Sequence, residues 1–177
     1  NSVQKGRLRK TKWFIKDRAG FMEQLKKDLT SFSNYCDKRE LKPAIRLNGT
    51  SDIRFENITI GNQTLMEHFP NIQFYDYTKI ANRRNIPDNY HLTFSYSEAN
   101  PIYQKQVNIA LEKKMNIAVV FRHKENMPKK FLGLKVINGD KNDLRFLDPK
   151  NSIVGLYAKG KAKNDYSGFV IDNPIAV

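Results

Sequence analysis

The stretch LKPAIRLNGTSDI, Leu41 to Ile53, passes from an apolar run to a polar exit within a few residues, and this passage decides the fold. Ala44, Ile45 and Leu47 suit a buried strand, whereas Arg46, Asn48, Ser51 and Asp52 are costly to bury unless each finds a partner. The polar group therefore belongs at the end of a strand. Gly49 permits a tight departure there, and Ser51 or Asp52 can cap a following helix. The same change recurs in IQFYDYTK (Ile72 to Lys79), YHLTFSYSE (Tyr90 to Glu98) and IAVVFRHK (Ile117 to Lys124). Strands are thus expected at Ala44 to Asn48, Ile72 to Thr78, His91 to Ser97 and Ile117 to Arg122.

The segments between these runs read as helices or polar connections. IGNQTLMEHFP predicts a turn and short helix ended by Pro70. ANRRNIPDN is a polar connection, and PIYQKQVNIALEKKMN is a helix with Pro101 at its entrance. Short β–α connections favour parallel strands, so the reading is an α/β domain with a principally parallel sheet, either small and open or a reduced or incomplete β/α barrel. Upstream, Asp17 can cap a helix carrying Phe21, Leu25, Leu29 and Phe32 on one face through Tyr35. Downstream, FLGLKVING and LRFLDP are strand-like, IVGLYAKGKA adds a strand before a GKAKND turn, and GFVIDNPIAV supplies an edge or packs over the core. At 177 residues the chain suits one domain, here residues 17–177, preceded by a basic arm over residues 1–16.

Charge is the strongest compositional signal. Thirty-one Lys and Arg against 18 Asp and Glu give +13, which favours a polyanion. Nucleic acid is the first expectation, because a basic surface gains from phosphate contact and counterion release, with an anionic membrane surface or an acidic protein as other partners of the same sign. No apolar segment reaches the roughly twenty residues that cross a bilayer, and no secretory signal is present, so a cytoplasmic location without transmembrane association is expected. Cys36 is the only cysteine; it reads as a small buried residue on the first long helix.

The run RLNGTSDI, the segment HFPNIQFYDYTK and the following NIPDNYHLTFSYSEAN resemble the core of a bacteriophage and plasmid family related to the phage gene-product-88-like group, over roughly Phe14 to Val170. The resemblance implies a mobile-element setting such as DNA replication, transfer or defence, in a complex with other mobile-element proteins. It carries over no reaction residue by residue.

Candidate ligand groups follow from the residues themselves. Lys5, Arg7, Arg9, Lys10 and Lys12 form a phosphate-binding arm, with Trp13 and Phe14 anchoring it to the core or stacking on bases. Arg46, Lys79, Arg122 and Lys159 are phosphate clamps if their strand ends converge, with Asn48, Ser51, Thr78, Ser95 and Ser97 supplying hydrogen bonds. Asp52, Glu56 and Glu98, with Asp140 and Asp143, offer a second reading as carboxylates holding Mg²⁺ for phosphodiester chemistry, although no familiar metal spacing is complete. His91 reads as a base, a substrate-positioning group or a hydrogen-bonded sheet residue, and Tyr75, Tyr77, Tyr90 and Tyr96 as strand-transfer nucleophiles or packing groups. Two functions emerge: a nucleic-acid-binding or accessory protein of a mobile element, and an enzyme acting on nucleic acid or a phosphorylated nucleotide, with Asp52, His91 and Glu98 as its catalytic candidates.

Overall fold

Asp17 interrupts a run of helix-forming residues. It leaves helical geometry at φ −144° and turns its carboxylate onto the backbone N–H of Gly20 at 2.9 Å, so that one helix stops and another starts beside it. The computed structural model describes residues 2–125 and 127–172. The chain forms two compact units, Asn1–Ile45 with Arg54–Gln73, and Arg46–Ile53 with Phe74–Val177.

The first unit contains α1 (Ser2–Lys16), α2 (Arg18–Asp37), β1 (Ala44–Ile45), a 3₁₀ turn (Phe55–Asn57), β2 (Thr59–Ile60), β3 (Gln63–Thr64) and α3 (Leu65–His68). The expected apolar face of α2 is present but rotated: Met22, Leu29, Ser33 and Cys36 are buried, while Phe21, Leu25 and Phe32 flank them half-buried. On this face Asn71 Nδ2 donates to Ser33 Oγ at 2.9 Å. The segment IGNQTLMEHFP spends its first residues on an antiparallel hairpin turned at Gly61, whose φ is +62°, which leaves only four residues for α3. A capping box holds that short helix: Thr64 and Glu67 exchange side-chain and backbone hydrogen bonds.

The second unit is built on a parallel sheet. Its strands are β4 (Gln73–Thr78), β5 (Tyr90–Ser95), β6 (Ile117–Phe121), β7 (Lys130–Phe131), β8 (Leu134–Asn138), β9 (Ile153–Tyr157) and β10 (Val170–Ile171), with α4 (Pro101–Glu112) between β5 and β6. The order β4-β5-β6-β9-β8-β7 is parallel throughout except for the β7–β8 hairpin, and it does not close, so the sheet is open rather than a barrel. β6 is buried almost continuously, as a central parallel strand covered on both faces must be. Phe94, Tyr96, Val107, Ala110, Ile117, Val119, Phe121 and Ile153 form the core on the α4 side. Asn100 caps α4 and Pro101 occupies its first turn, as the sequence indicates.

One edge of β6 is divided. β5 pairs with its first half, at Ile117 and Ala118, and β10 with its second half, at Val120 and Phe121. The chain diverges where β5 ends, and β10 fills the gap it leaves. β10 thus adds to the sheet beside β6, its one strand partner among the described residues, in keeping with the expected edge; the remainder of GFVIDNPIAV, residues 173–177, lies outside the described residues.

Two local expectations need correction. The strand expected at Ala44 to Asn48 stops at Ile45, because the Asn48 N–H donates 2.7 Å to the side chain of Asp76 instead of extending a ladder. LRFLDP forms a 3₁₀ turn, Arg145–Leu147, because the Arg145 guanidinium is buried: it donates to the carbonyls of Gly139 and Asn142 and faces Asp148 at 3.3 Å. A strand would send that charge into the sheet without these acceptors.

Candidate nucleic-acid interface

The residues of the basic arm form helix α1. Lys5, Arg7, Arg9, Lys10, Lys12 and Lys16 lie on this helix, no acidic residue shares it, and none of its residues is buried. At about 100° per residue, Lys5, Arg9, Lys12 and Lys16 fall within an arc of about 60° and span about 16 Å along the axis. Arg7 and Lys10 project elsewhere. The result is a solvated row of four cations on a rigid rod. Its far end is anchored: Phe14 packs edge-on against Phe21 at 5.3 Å and near Phe55 at 6.3 Å, and Arg18 stacks over Phe14 at 5.0 Å. Trp13 leans on Phe21 and points its Nε1–H toward Asp17 at 3.4 Å, yet it remains 39% exposed beside the row.

The strand-end residues of the second unit satisfy one another. Asp76 is fully buried and accepts from Asn48 N, Asn48 Nδ2 and the Tyr90 hydroxyl at 2.7, 3.0 and 2.8 Å. Asn48 Oδ1 accepts in turn from Ser51 Oγ and Ile53 N. Asp52 binds Arg83 Nη2 at 2.6 Å through one oxygen, and takes Thr78 Oγ1 and the Lys79 N–H on the other at 3.1 and 2.8 Å. Arg83 completes the circuit by donating to Tyr90 Oη at 3.4 Å. Lys79 Nζ reaches the carbonyls of Ser95 and Tyr96 at 2.7 and 2.9 Å, between the rings of Tyr103 and Phe169. Asn48, Ser51, Asp52 and Lys79 thus share one network, whose bonds are spent on the protein itself.

The remaining strand-end cations hold separate partners. Arg46 lies over the Tyr77 ring at 4.6 Å and faces Asp143 at 3.8 Å. Lys159 binds Asp140 at 2.6 Å and covers Tyr157. Arg122 donates to the carbonyls of Lys163 and Asp165, pairs with Asp172 at 2.9 Å and stacks on Tyr166.

The acids of the enzymatic reading are similarly occupied. Glu98 accepts from the Tyr96 hydroxyl at 2.8 Å, and Glu56 is buried in the Phe55–Asn57 turn. Among the described residues no group of three or more His, Cys, Asp or Glu side chains could hold a metal ion. His91 sits 3.3 Å from Thr93 Oγ1, and burial, with Arg145 as the lesser cause, pushes its pKa down. Burial lifts the pKa of Tyr75, Tyr77, Tyr90 and Tyr96, the reverse of what a tyrosine nucleophile needs. Burial also raises the pKa of Asp76, against the pull of its three hydrogen bonds, and lowers that of Lys79 to about 8.

Three participants carry no mark in the sequence that separates them from their neighbours. Asp76 reads as one polar position on an alternating strand, Arg83 as half of an Arg-Arg pair in a polar connection, and Tyr166 as a loop residue. The contrast between the buried Arg83 and exposed Arg84 is set by Asp52, 31 residues away, which no local spacing encodes.

Among the described residues no helix is long and apolar enough to cross a membrane. A family model described as gene product 88 matches residues 1–173. No curated protein and no solved structure matches the chain.

Proposed function

The chain belongs to the phage-related gene product 88 family, and from that premise we propose that it is a nucleic-acid-binding or accessory protein of a mobile element, working in the cytoplasm in DNA replication or transfer. The observation that carries the reading is the row Lys5, Arg9, Lys12 and Lys16 on a helix without a single acid. Each cation that meets a phosphate releases condensed counterions, which drives association without reading sequence. A helical mount holds the four attachment points in register, so little backbone ordering is needed on binding and the cost that remains is the rotamer freedom of the long side chains. The net charge of +13 adds long-range attraction of the same sign.

Trp13 gives a direct test. It is the only tryptophan and lies on α1 beside the cationic row, so its fluorescence reports contact at this helix. Titration with a duplex oligonucleotide is expected to change Trp13 emission saturably, and the change is expected to reverse on adding salt. Vesicles with anionic headgroups serve as the comparison, because exposed Leu8 and Ile15 also lie on α1 and a basic amphipathic helix suits a membrane surface. A response to vesicles but not to duplex would reject the nucleic-acid reading.

A further inference from the structure

An open cleft of about 610 Å³ lies at the carboxyl ends of β6, β9 and β10, lined by Arg122, Lys124, Tyr157, Lys163, Tyr166 and Asp172 among others. It lies just beyond the carboxyl ends of parallel strands, the side on which open parallel sheets receive ligands. Its volume is that of a small-molecule site.

The floor of this cleft is rigid. The Arg122 side chain is only 8% exposed, and two carbonyls and Asp172 hold its guanidinium. That plane backs the ring of Tyr166 at 4.3 Å. The Tyr166 backbone is fixed as well: Asp165 Oδ1 accepts both the N–H and the hydroxyl of Ser167, at 3.0 and 2.7 Å, closing a turn around Tyr166. Even so, Tyr166 is 78% exposed. A preoriented aromatic ring with one face on a cation and the other open is a platform for another planar ring.

The charges around the platform are unequal in their commitments. Asp172 is engaged by Arg122, and Glu125 faces His123 at 3.9 Å. Lys124 and Lys163 are exposed and make no ion pair among the described residues, so two ammonium groups stand ready beside an aromatic face. Stacking surface plus unpaired cations at one cleft is the chemistry of a base and its phosphate.

We propose that this cleft binds one nucleotide, with the base stacked on Tyr166 and the phosphate held by Lys124 and Lys163. The nucleotide comes either free or as one residue of a single strand. The single-strand source rests on the nucleic-acid reading above, whereas the free nucleotide does not.

Calorimetric titration of the full chain with AMP, with adenosine and with single-stranded dA12 separates these sources. Wild type is expected to bind AMP more tightly than adenosine, or dA12 where AMP fails, which selects the free or the polymeric source respectively. Tyr166→Ala is expected to weaken that binding about tenfold or more while Tyr166→Phe retains it. The Lys124→Ala/Lys163→Ala pair should erase the preference for AMP over adenosine, or lower the salt dependence for dA12. Circular dichroism checks that each variant is folded; Tyr166 is exposed enough for removal of its ring to leave the fold intact. Absence of binding to both AMP and dA12, or affinities unmoved in Tyr166→Ala, would overturn the proposal. A variant with Lys5, Arg9, Lys12 and Lys16 all changed to Ala should keep its AMP binding, so failure at α1 and failure at the cleft are distinguishable.

Discussion

Asp52 Oδ1 lies 2.6 Å from Arg83 Nη2, and this contact joins the polar exit after β1 to the connection between β4 and β5. The Arg83 side chain is 1% exposed, and this carboxylate, the carbonyls of Asp52 and Ile53 and the Tyr90 hydroxyl are among the groups that hold its charge. A buried guanidinium without its acid is an uncompensated charge in a poorly polarisable surrounding. Asp52 therefore acts as a structural keystone for its unit: besides Arg83 it fixes the end of β4 through Thr78 and Lys79.

Asp52→Ala should consequently cost about 3 kcal/mol or more of stability, and Arg83→Met less, because the second change removes the buried charge along with its demand for a partner. Urea denaturation of the two variants checks the order. A larger loss for Arg83→Met than for Asp52→Ala would show that the arginine contributes mainly through its other contacts.

Lys79 supplies a pH signature. Burial lowers its pKa from the ordinary 10.5 to about 8, with nearby Asp52 opposing the shift. Because the folded value lies below the unfolded one, the unfolded chain binds more protons between about pH 8 and 10.5, and the contribution of Lys79 to stability rises with pH across that window. Denaturant midpoints measured at pH 7.5 and 10 in wild type and Lys79→Met should therefore shift relative to one another, wild type gaining stability relative to the variant as pH increases. A parallel pH response in the two proteins would contradict the shift.

Much of this architecture is legible in the sequence because parallel strands advertise themselves. IAVVF has to be buried on both faces, and Asn100 followed by Pro101 marks a helix start by simple backbone chemistry. What local pattern does not carry is the pairing of distant polar groups. Arg46, Asn48, Asp52, Lys79 and Arg122 all stand near strand ends, as their spacing suggests, yet Asn48 and Asp52 turn to Asp76 and Arg83 while Arg122 turns to Asp172. Strand order is equally hidden: β9 enters between β6 and β8, although β8 precedes it in the chain. The row on α1 is readable as charge, but only a helix converts Lys5, Arg9, Lys12 and Lys16 into one face.

Gly168 links the loop after β5 to the start of β10. Its φ of +94° disfavours any side chain, its carbonyl accepts the Glu98 N–H at 2.7 Å, and an added Cβ would stand 2.8 Å from the Ala99 nitrogen. Gly168→Ala should lower stability by about 1–3 kcal/mol, with increased hydrogen exchange at the backbone N–H groups of Glu98 and Arg122, which bond to Gly168 and to Ile171 of β10. Unchanged exchange at both positions would mean that β10 does not depend on this close approach.

If α1 binds nucleic acid through phosphate contacts, as proposed, the salt dependence of duplex affinity with and without the cationic row reports it most directly. Lys5, Arg9, Lys12 and Lys16 are all unburied, so replacing all four by Ala should leave the helix folded, alanine being the best helix former. If each contacts one phosphate, the slope of log affinity against log salt should become shallower by about 3.6, at about 0.9 per contact, and affinity at low salt should fall sharply. A folded four-alanine variant with the wild-type slope and affinity would contradict the claim outright.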